Sequence, residues 1–131
     1  MIEKPSRVVF FLCVAAWLAA CRGECGNEAV KSVPSPYGKR VATLVRRSCG
    51  ATSDFSELVL IRPAESRGEP LDDVEDAVFA MRGRDQVDVF WSGNDEVTIV
   101  RPDSSADITK HLDQAGTTAI VYKTPLDLVP R

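Results

Sequence analysis

Any hydrolytic or metal-dependent chemistry in this chain would have to be assembled from very few side chains. His111 is the only imidazole, and so the only side chain whose ordinary titration lies near neutrality and the natural candidate for a general base. Thr52 and Ser53, just beyond Cys49, are candidate nucleophiles, but nothing in their spacing brings them to His111. No set of nucleophile, base and orienting group can be named, so no catalytic residue is assigned and the chain is expected not to be an enzyme. A structural zinc site needs about four N or S ligands, and with one His and no C-x-x-C no metal or cofactor is expected. Asp72, Asp73, Glu75 and Asp76 crowd four carboxylates into five positions, a set that could gather calcium or work as acid and base. The run LDDVED lacks the alternating acids, central Gly and distal Glu of a calcium loop, and reads as a solvated acidic connection. Arg46 with Arg47, and Arg82 with Arg84, could meet acidic lipid or glycan; the favoured reading is charge that keeps sheet edges from pairing with another chain.

The N-terminus carries a different kind of signal. Lys4 and Arg7 precede thirteen uncharged residues, 8–20, reading VVFFLCVAAWLAA, the layout of a bacterial export signal. A helix crossing a hydrocarbon core needs roughly 20 apolar residues, so this run is short for a membrane span. An ordinary signal peptidase wants small side chains at positions −1 and −3 of the cut, and Leu18 fits that rule badly. Leu18-Ala19-Ala20-Cys21 resembles instead the lipobox of bacterial lipoproteins, which implies removal of 1–20 and a diacylglycerol thioether on Cys21. Two or more acyl chains hold firmly to a bilayer where one is marginal, so the resemblance implies a membrane partner reached through the lipid on Cys21. The alternative is an uncleaved short anchor, with Cys21 a small residue at its end. By the sorting rule of enteric bacteria, Arg22 after the lipidated Cys leans toward the outer membrane, facing the periplasm, if the organism is Gram-negative.

Export settles the expected state of the remaining cysteines. Cys13 would leave with the signal and Cys21 would take the lipid, which leaves Cys25 and Cys49 in an oxidising compartment, where a disulfide between them is expected. That bond would tie the lipid-proximal segment to the first strand.

Around these residues the composition is that of one small globular domain: 131 residues, 44% hydrophobic, 27% charged, net charge −3. Sixteen basic against nineteen acidic residues leave no cationic excess for a phosphate backbone, so no nucleic-acid partner is expected. Short runs of Val, Ile, Phe and Thr between turn clusters predict a mainly β fold, a small antiparallel sheet or sandwich-like domain with at most one short helix. Strands are expected over 40–47, 57–62, 77–81, 86–91, 96–101 and 117–123. The clearest hairpin is QVDVFWSGNDEVTIV, with Val87, Val89 and Trp91 on one face, Trp91 therefore in the core, and Ser92-Gly93-Asn94-Asp95 as the reversal. The turn 34–39, PSPYGK, feeds the first strand, with Gly38 free to take positive φ. Residues 67–76 are expected as a charged loop, 104–116 as either a short helix or a strand, and 124–131 as a frayed tail. The division expected is 1–20 signal peptide, 21–33 tether and N-terminal segment, 34–123 a single β domain, and 124–131 flexible tail.

The run CGNEAVKSVPSPYGKRVATLVRRSCGATSDFSELVLI resembles a family of small exported bacterial proteins, many of them lipoproteins, without assigned function. The pattern is C-G-N, then P-S-P-D-G-K, then a strand ending D-C-G-A-T-T. Cys25, Gly26 and Asn27 match its opening, Pro34, Ser35, Pro36, Gly38 and Lys39 its turn, and Cys49, Gly50, Ala51 and Thr52 its close, with Tyr37 in place of the usual acid. DAVFAMRG and the strand through Phe90 and Trp91 are similar to its second half. The resemblance implies a compact, largely β domain and no activity. The P-S-P-x-G-K turn also looks like the strand entry of a TolB-type propeller blade, but several blades of about 40 residues each do not fit in the 111 residues after Ala20.

The functional expectation is therefore a lipid-anchored cell-envelope protein whose non-catalytic β domain binds another envelope protein. An immunity lipoprotein that captures a toxin, and a cell-envelope hydrolase using His111, are the alternatives.

Overall fold

The computed structural model describes residues 25–50, 55–71 and 76–130. Among them are nine strands: β1 (Gly26–Pro34), β2 (Arg40–Ser48), β3 (Ser56–Pro63), β4 (Ala77–Arg82), β5 (Asp88–Trp91), β6 (Glu96–Val100), β7 (Ile108–His111), β8 (Gln114–Ala115) and β9 (Thr118–Lys123). The fold is mainly β, with short 3-10 turns at Ala64–Ser66 and Pro125–Leu128 as its helical pieces among the described residues. Five strands form one sheet in the order β1-β2-β3-β4-β7, and four form a second in the order β5-β6-β9-β8.

The sheets pack face to face. Ala42 and Leu44 from β2, Val59 from β3 and Phe79 and Met81 from β4 meet Val89, Val97, Ile99 and Ile120 of the second sheet in one buried cluster. Phe79, Met81, Ile99, Val59, Val89 and Val97 are fully buried, and each such side chain contributes roughly 1.5–3 kcal/mol by leaving water. The apolar runs of β2 and β3 do not alternate with polar residues, and the structure shows why. The outer face of the first sheet carries a second small core of Val45, Leu58, Leu60 and Ala77, which Leu71 of the 64–71 connection covers.

Both seams between the sheets are closed. On one side Lys31 of β1 reaches Asp88 of β5 at 2.9 Å, and the Trp91 indole N–H donates to the Val33 carbonyl at 2.8 Å. Burial pushes the Asp88 carboxyl up, but the Lys31 ammonium and the Val89 N–H outweigh it and hold the group below the ordinary carboxylate range. On the other side the chain passes directly from β7 to β8, and the Leu112 N–H donates to the Val78 carbonyl while Ile120 N–H donates to that of Asp113.

Several expectations need correction. Residues 26–33, expected within the 21–33 tether and N-terminal segment and not as a strand, form β1 together with Pro34, paired antiparallel with β2 from Gly26↔Ser48 to Pro34↔Val41. A bulge between Ala29 and Lys31 interrupts the period of two, and most of the strand is exposed, so its apolar pattern is faint. Of the two alternatives left open for 104–116, strand is the one found: β7 and β8 form within it, because β4 offers an open edge that pairs Phe79↔His111 and Met81↔Ile108. The 124–131 tail contains the ordered turn Pro125–Leu128, and the pairing of β6 with β9 is parallel, a departure from an all-antiparallel arrangement. Trp91 is half-buried against the core with its indole N–H at the seam. The expected hairpin of β5 and β6 is present, with Val89 opposite Ile99 and Trp91 opposite Val97.

Candidate functional site

Strand directions divide the sandwich into two ends with different chemistry. At one end Cys25 and Cys49 are joined by a disulfide that flanks the Gly26↔Ser48 pair, their Cα atoms 4.0 Å apart. β4 finishes at this end, and its Arg82 N–H donates to the Asp107 carbonyl of the connection leaving β6. Glu57 is buried here with 3% exposure and accepts the Gln86 N–H at 2.9 Å. Burial pushes its carboxyl above the ordinary range, against the opposing pull of the Gln86 and Val87 N–H groups.

At the opposite end the 34–39, 92–95 and 116–117 turns converge on Arg40, the first residue of β2. The PSPYGK turn closes itself: Ser35 N–H donates to the Arg40 carbonyl at 2.8 Å, Gly38 N–H to the Ser35 carbonyl at 2.8 Å, and Arg40 N–H to Ser35 Oγ at 3.2 Å. Gly38 takes φ +72°, as the turn requires. The Tyr37 N–H donates to Asn94 Oδ1 at 3.1 Å, which joins this turn to the β5–β6 reversal. The Arg40 guanidinium crosses to the second sheet and donates to the Ala115 carbonyl at 3.1 Å, to Thr117 Oγ1 at 2.9 Å and to Thr118 Oγ1. All three acceptors are neutral. The β8–β9 hairpin that carries them turns at Gly116, φ +60°.

Two cavities of about 460 Å³ share Arg40 as a wall. One lies toward the 64–71 connection, with Arg62, Glu69 and Asp76 around an apolar floor that includes Leu60 and Val78. The other opens among Ser35, Tyr37, Lys39, Asn94 and Asp95. Tyr37 is 76% exposed at its rim. This mixture of exposed ring, amide, hydroxyl and both signs of charge suits hydrogen-bonded recognition of a partner surface. His111 lines neither cavity.

The residues singled out by sequence are distributed as follows. Cys21, with the 1–20 segment, Cys13 and Arg22, lies outside the described residues, as do Thr52, Ser53, Asp72, Asp73 and Glu75. Cys25 and Cys49 are bonded as expected. Asp76 lines the first cavity. His111 stacks on Tyr122 with ring centroids 3.6 Å apart, meets Phe79 edge-on and has Asp113 Oδ1 3.9 Å from Nδ1. Burial pushes the Tyr122 hydroxyl up to about 12, and it donates to the Leu112 carbonyl. Arg46 pairs with Asp85 at 2.7 Å, Arg84 lies 4.9 Å above the Phe55 ring, and Arg82 lines a shallow cleft beside Arg84. No group of three His, Cys, Asp or Glu side chains suited to a metal ion occurs among the described residues, and none of their helices is long and apolar enough to cross a membrane.

Sequence reasoning missed Arg40. Its position directly after a turn was legible, but nothing in RVATLV marks that guanidinium as the bridge between sheets. The chain matches no protein-family model, no curated protein and no solved structure.

Proposed function

We propose that this protein is a lipid-anchored bacterial cell-envelope protein, non-catalytic, held by acyl chains on Cys21 and binding another envelope protein through the turns around Arg40. Its place is the cell envelope, at the outer membrane facing the periplasm in a Gram-negative organism. The observation that carries this reading is the opposition of the two ends. Cys21 precedes the disulfide end by four residues, while both large cavities and the exposed Tyr37 ring lie at the other end, where a tethered domain presents its surface to other proteins. The lipobox-like LAAC and the C-G-N, P-S-P-x-G-K and C-G-A-T resemblance support the same reading.

Two measurements test it. Palmitate labelling of growing cells should mark the wild-type protein and not a Cys21→Ser variant; persistence of label in the variant contradicts the anchor. A photo-crosslinking residue placed at Tyr37 or at Asn94 in intact cells should trap one and the same discrete partner, and one placed at Glu28 should not. Equal trapping from all three positions, or none from any, rejects the loop end as the binding surface. Turnover of cell-wall material by the purified protein, abolished by His111→Ala, would overturn the non-catalytic reading.

A further inference from the structure

The C-terminal turn presents apolar side chains to solvent in a fixed arrangement. Leu126, Leu128 and Val129 are 74%, 46% and 61% exposed. Asp127 Oδ2 holds the turn by accepting the Thr124 N–H at 2.8 Å and the Thr124 hydroxyl at 3.1 Å, Pro125 sets its first φ, and the Asp127 N–H returns to the Thr124 carbonyl at 3.0 Å. Those bonds hold the Asp127 carboxyl below its usual range, so the acid in the middle of the apolar set is already engaged. Ordering such a turn with its leucines facing outward leaves apolar area in water, a cost that a contacting apolar phase removes.

The position of the turn identifies that phase. β9 runs parallel to β6, with Val100 opposite Lys123, and both strands lead toward the disulfide end. The connection leaving β6 is bonded to Arg82 where β4 finishes, and Arg82 pairs with Ser56, which pairs with Arg47 two residues before Cys49. The turn therefore leaves the sandwich at the end that carries Cys25. Cys25 lies four residue steps after Cys21, which at full extension span at most about 14 Å. The headgroup layer on each side of a bilayer is roughly 5–8 Å deep. An acylated Cys21 thus brings the disulfide end onto the headgroups. Charge at this end is of both signs, Arg47, Arg82, Arg84 and Lys123 standing with Glu28, Asp85, Asp107 and Asp127.

We infer that the 125–129 turn is a second membrane contact, with Leu126, Leu128 and Val129 seated at the boundary of headgroups and acyl chains of the bilayer that holds Cys21. This rests on the lipid anchor proposed above. Two attachments on one face fix the orientation of the domain, with the Arg40 end outward, which a single point of attachment does not do.

The test uses the full-length protein extracted from cell membranes and returned to vesicles of phosphatidylethanolamine and phosphatidylglycerol. An environment-sensitive fluorophore is attached to Leu128→Cys in one sample and to Tyr37→Cys in another. The expected result is palmitate in both proteins, with blue-shifted emission and strong quenching by spin-labelled lipid at position 128 and neither effect at position 37. Palmitate present with a water-exposed, unquenched probe at 128 overturns the contact and leaves the anchor standing. Absence of palmitate overturns the anchor and the contact together. A blue-shifted probe that lipid does not quench, with self-crosslinking through position 128, assigns the turn to a second copy of the chain and also overturns it.

Discussion

Replacing Cys25 and Cys49 together by Ser tests how the domain holds its exposed first strand. β1 has β2 on one side and meets β5 on the other through Lys31 and Val33, but its residues are mostly exposed, so little apolar burial secures it. The disulfide closes a loop of 24 residues, and restriction of the unfolded chain by a loop of that length stabilises the folded state by about 3.4 kcal/mol. The 111 residues after Ala20 unfold with an entropy near 0.23 kcal/mol/K, at about 2.1 cal/mol/K per residue, so the double variant should melt about 15 °C lower. Circular dichroism melts of the purified protein and of Cys25→Ser/Cys49→Ser at one pH measure this directly. Hydrogen exchange should also show the amides of β1 losing protection before those of β3 and β6, because the rest of the first sheet keeps its cores. A melting difference under roughly 3 °C would refute the argument, since it would mean that the bond restricts nothing the β1–β2 hairpin does not already restrict.

Other expectations follow from single contacts. Trp91→Phe removes the indole donor to the Val33 carbonyl and should cost about 1–2 kcal/mol in urea denaturation, whereas Lys31→Ala at the same seam, breaking an exposed ion pair, should cost under about 1 kcal/mol; equal losses would contradict the assignment of the seam to the indole. Because the folded pKa of Glu57 lies above its ordinary 4.5, the group favours folding at low pH, and that contribution is lost as pH rises from 4.5 through the raised value. Urea midpoints of Glu57→Gln should therefore fall less steeply than wild type over that range, and parallel curves would rule the carboxyl out as the source. Gly116→Ala places a Cβ at φ +60° and 3.6 Å from the Arg40 guanidinium nitrogens, so a loss of about 1–2 kcal/mol with weakened crosslinking from position 37 is expected; an unchanged melting point would show that the turn tolerates an L side chain.

Much of the local structure was legible from the chain alone. Alternation in QVDVFW and EVTIV, with SGND between them, located β5 and β6, and PSPYGK located the turn before β2, because side-chain period and turn φ are set by neighbouring residues. The pairing of Cys25 with Cys49 followed by elimination once export was assumed. What failed was whatever depended on a distant partner. β1 reads as tether because its bulge and polar residues hide the alternation, and it is a strand because β2 is there to pair with it. Ile108, Leu112 and Ala115 fit one face of a helix while Ile108 and Lys110 fit a strand, and the free edge of β4 decides between them.

The amino-acid sequence by itself determined a small β domain, most of its strands and turns, and its crosslink, since each of these depends on residues close together in the chain or on residue type alone. The tertiary structure alone decided that β6 and β9 run parallel, that both seams close, and that Arg40 joins the two sheets beneath converging turns at the end opposite the disulfide. Which edges meet depends on burying two sheet faces at once, and that condition couples residues 75 and more positions apart, as Arg40 is from Ala115, with no trace in the local pattern of either.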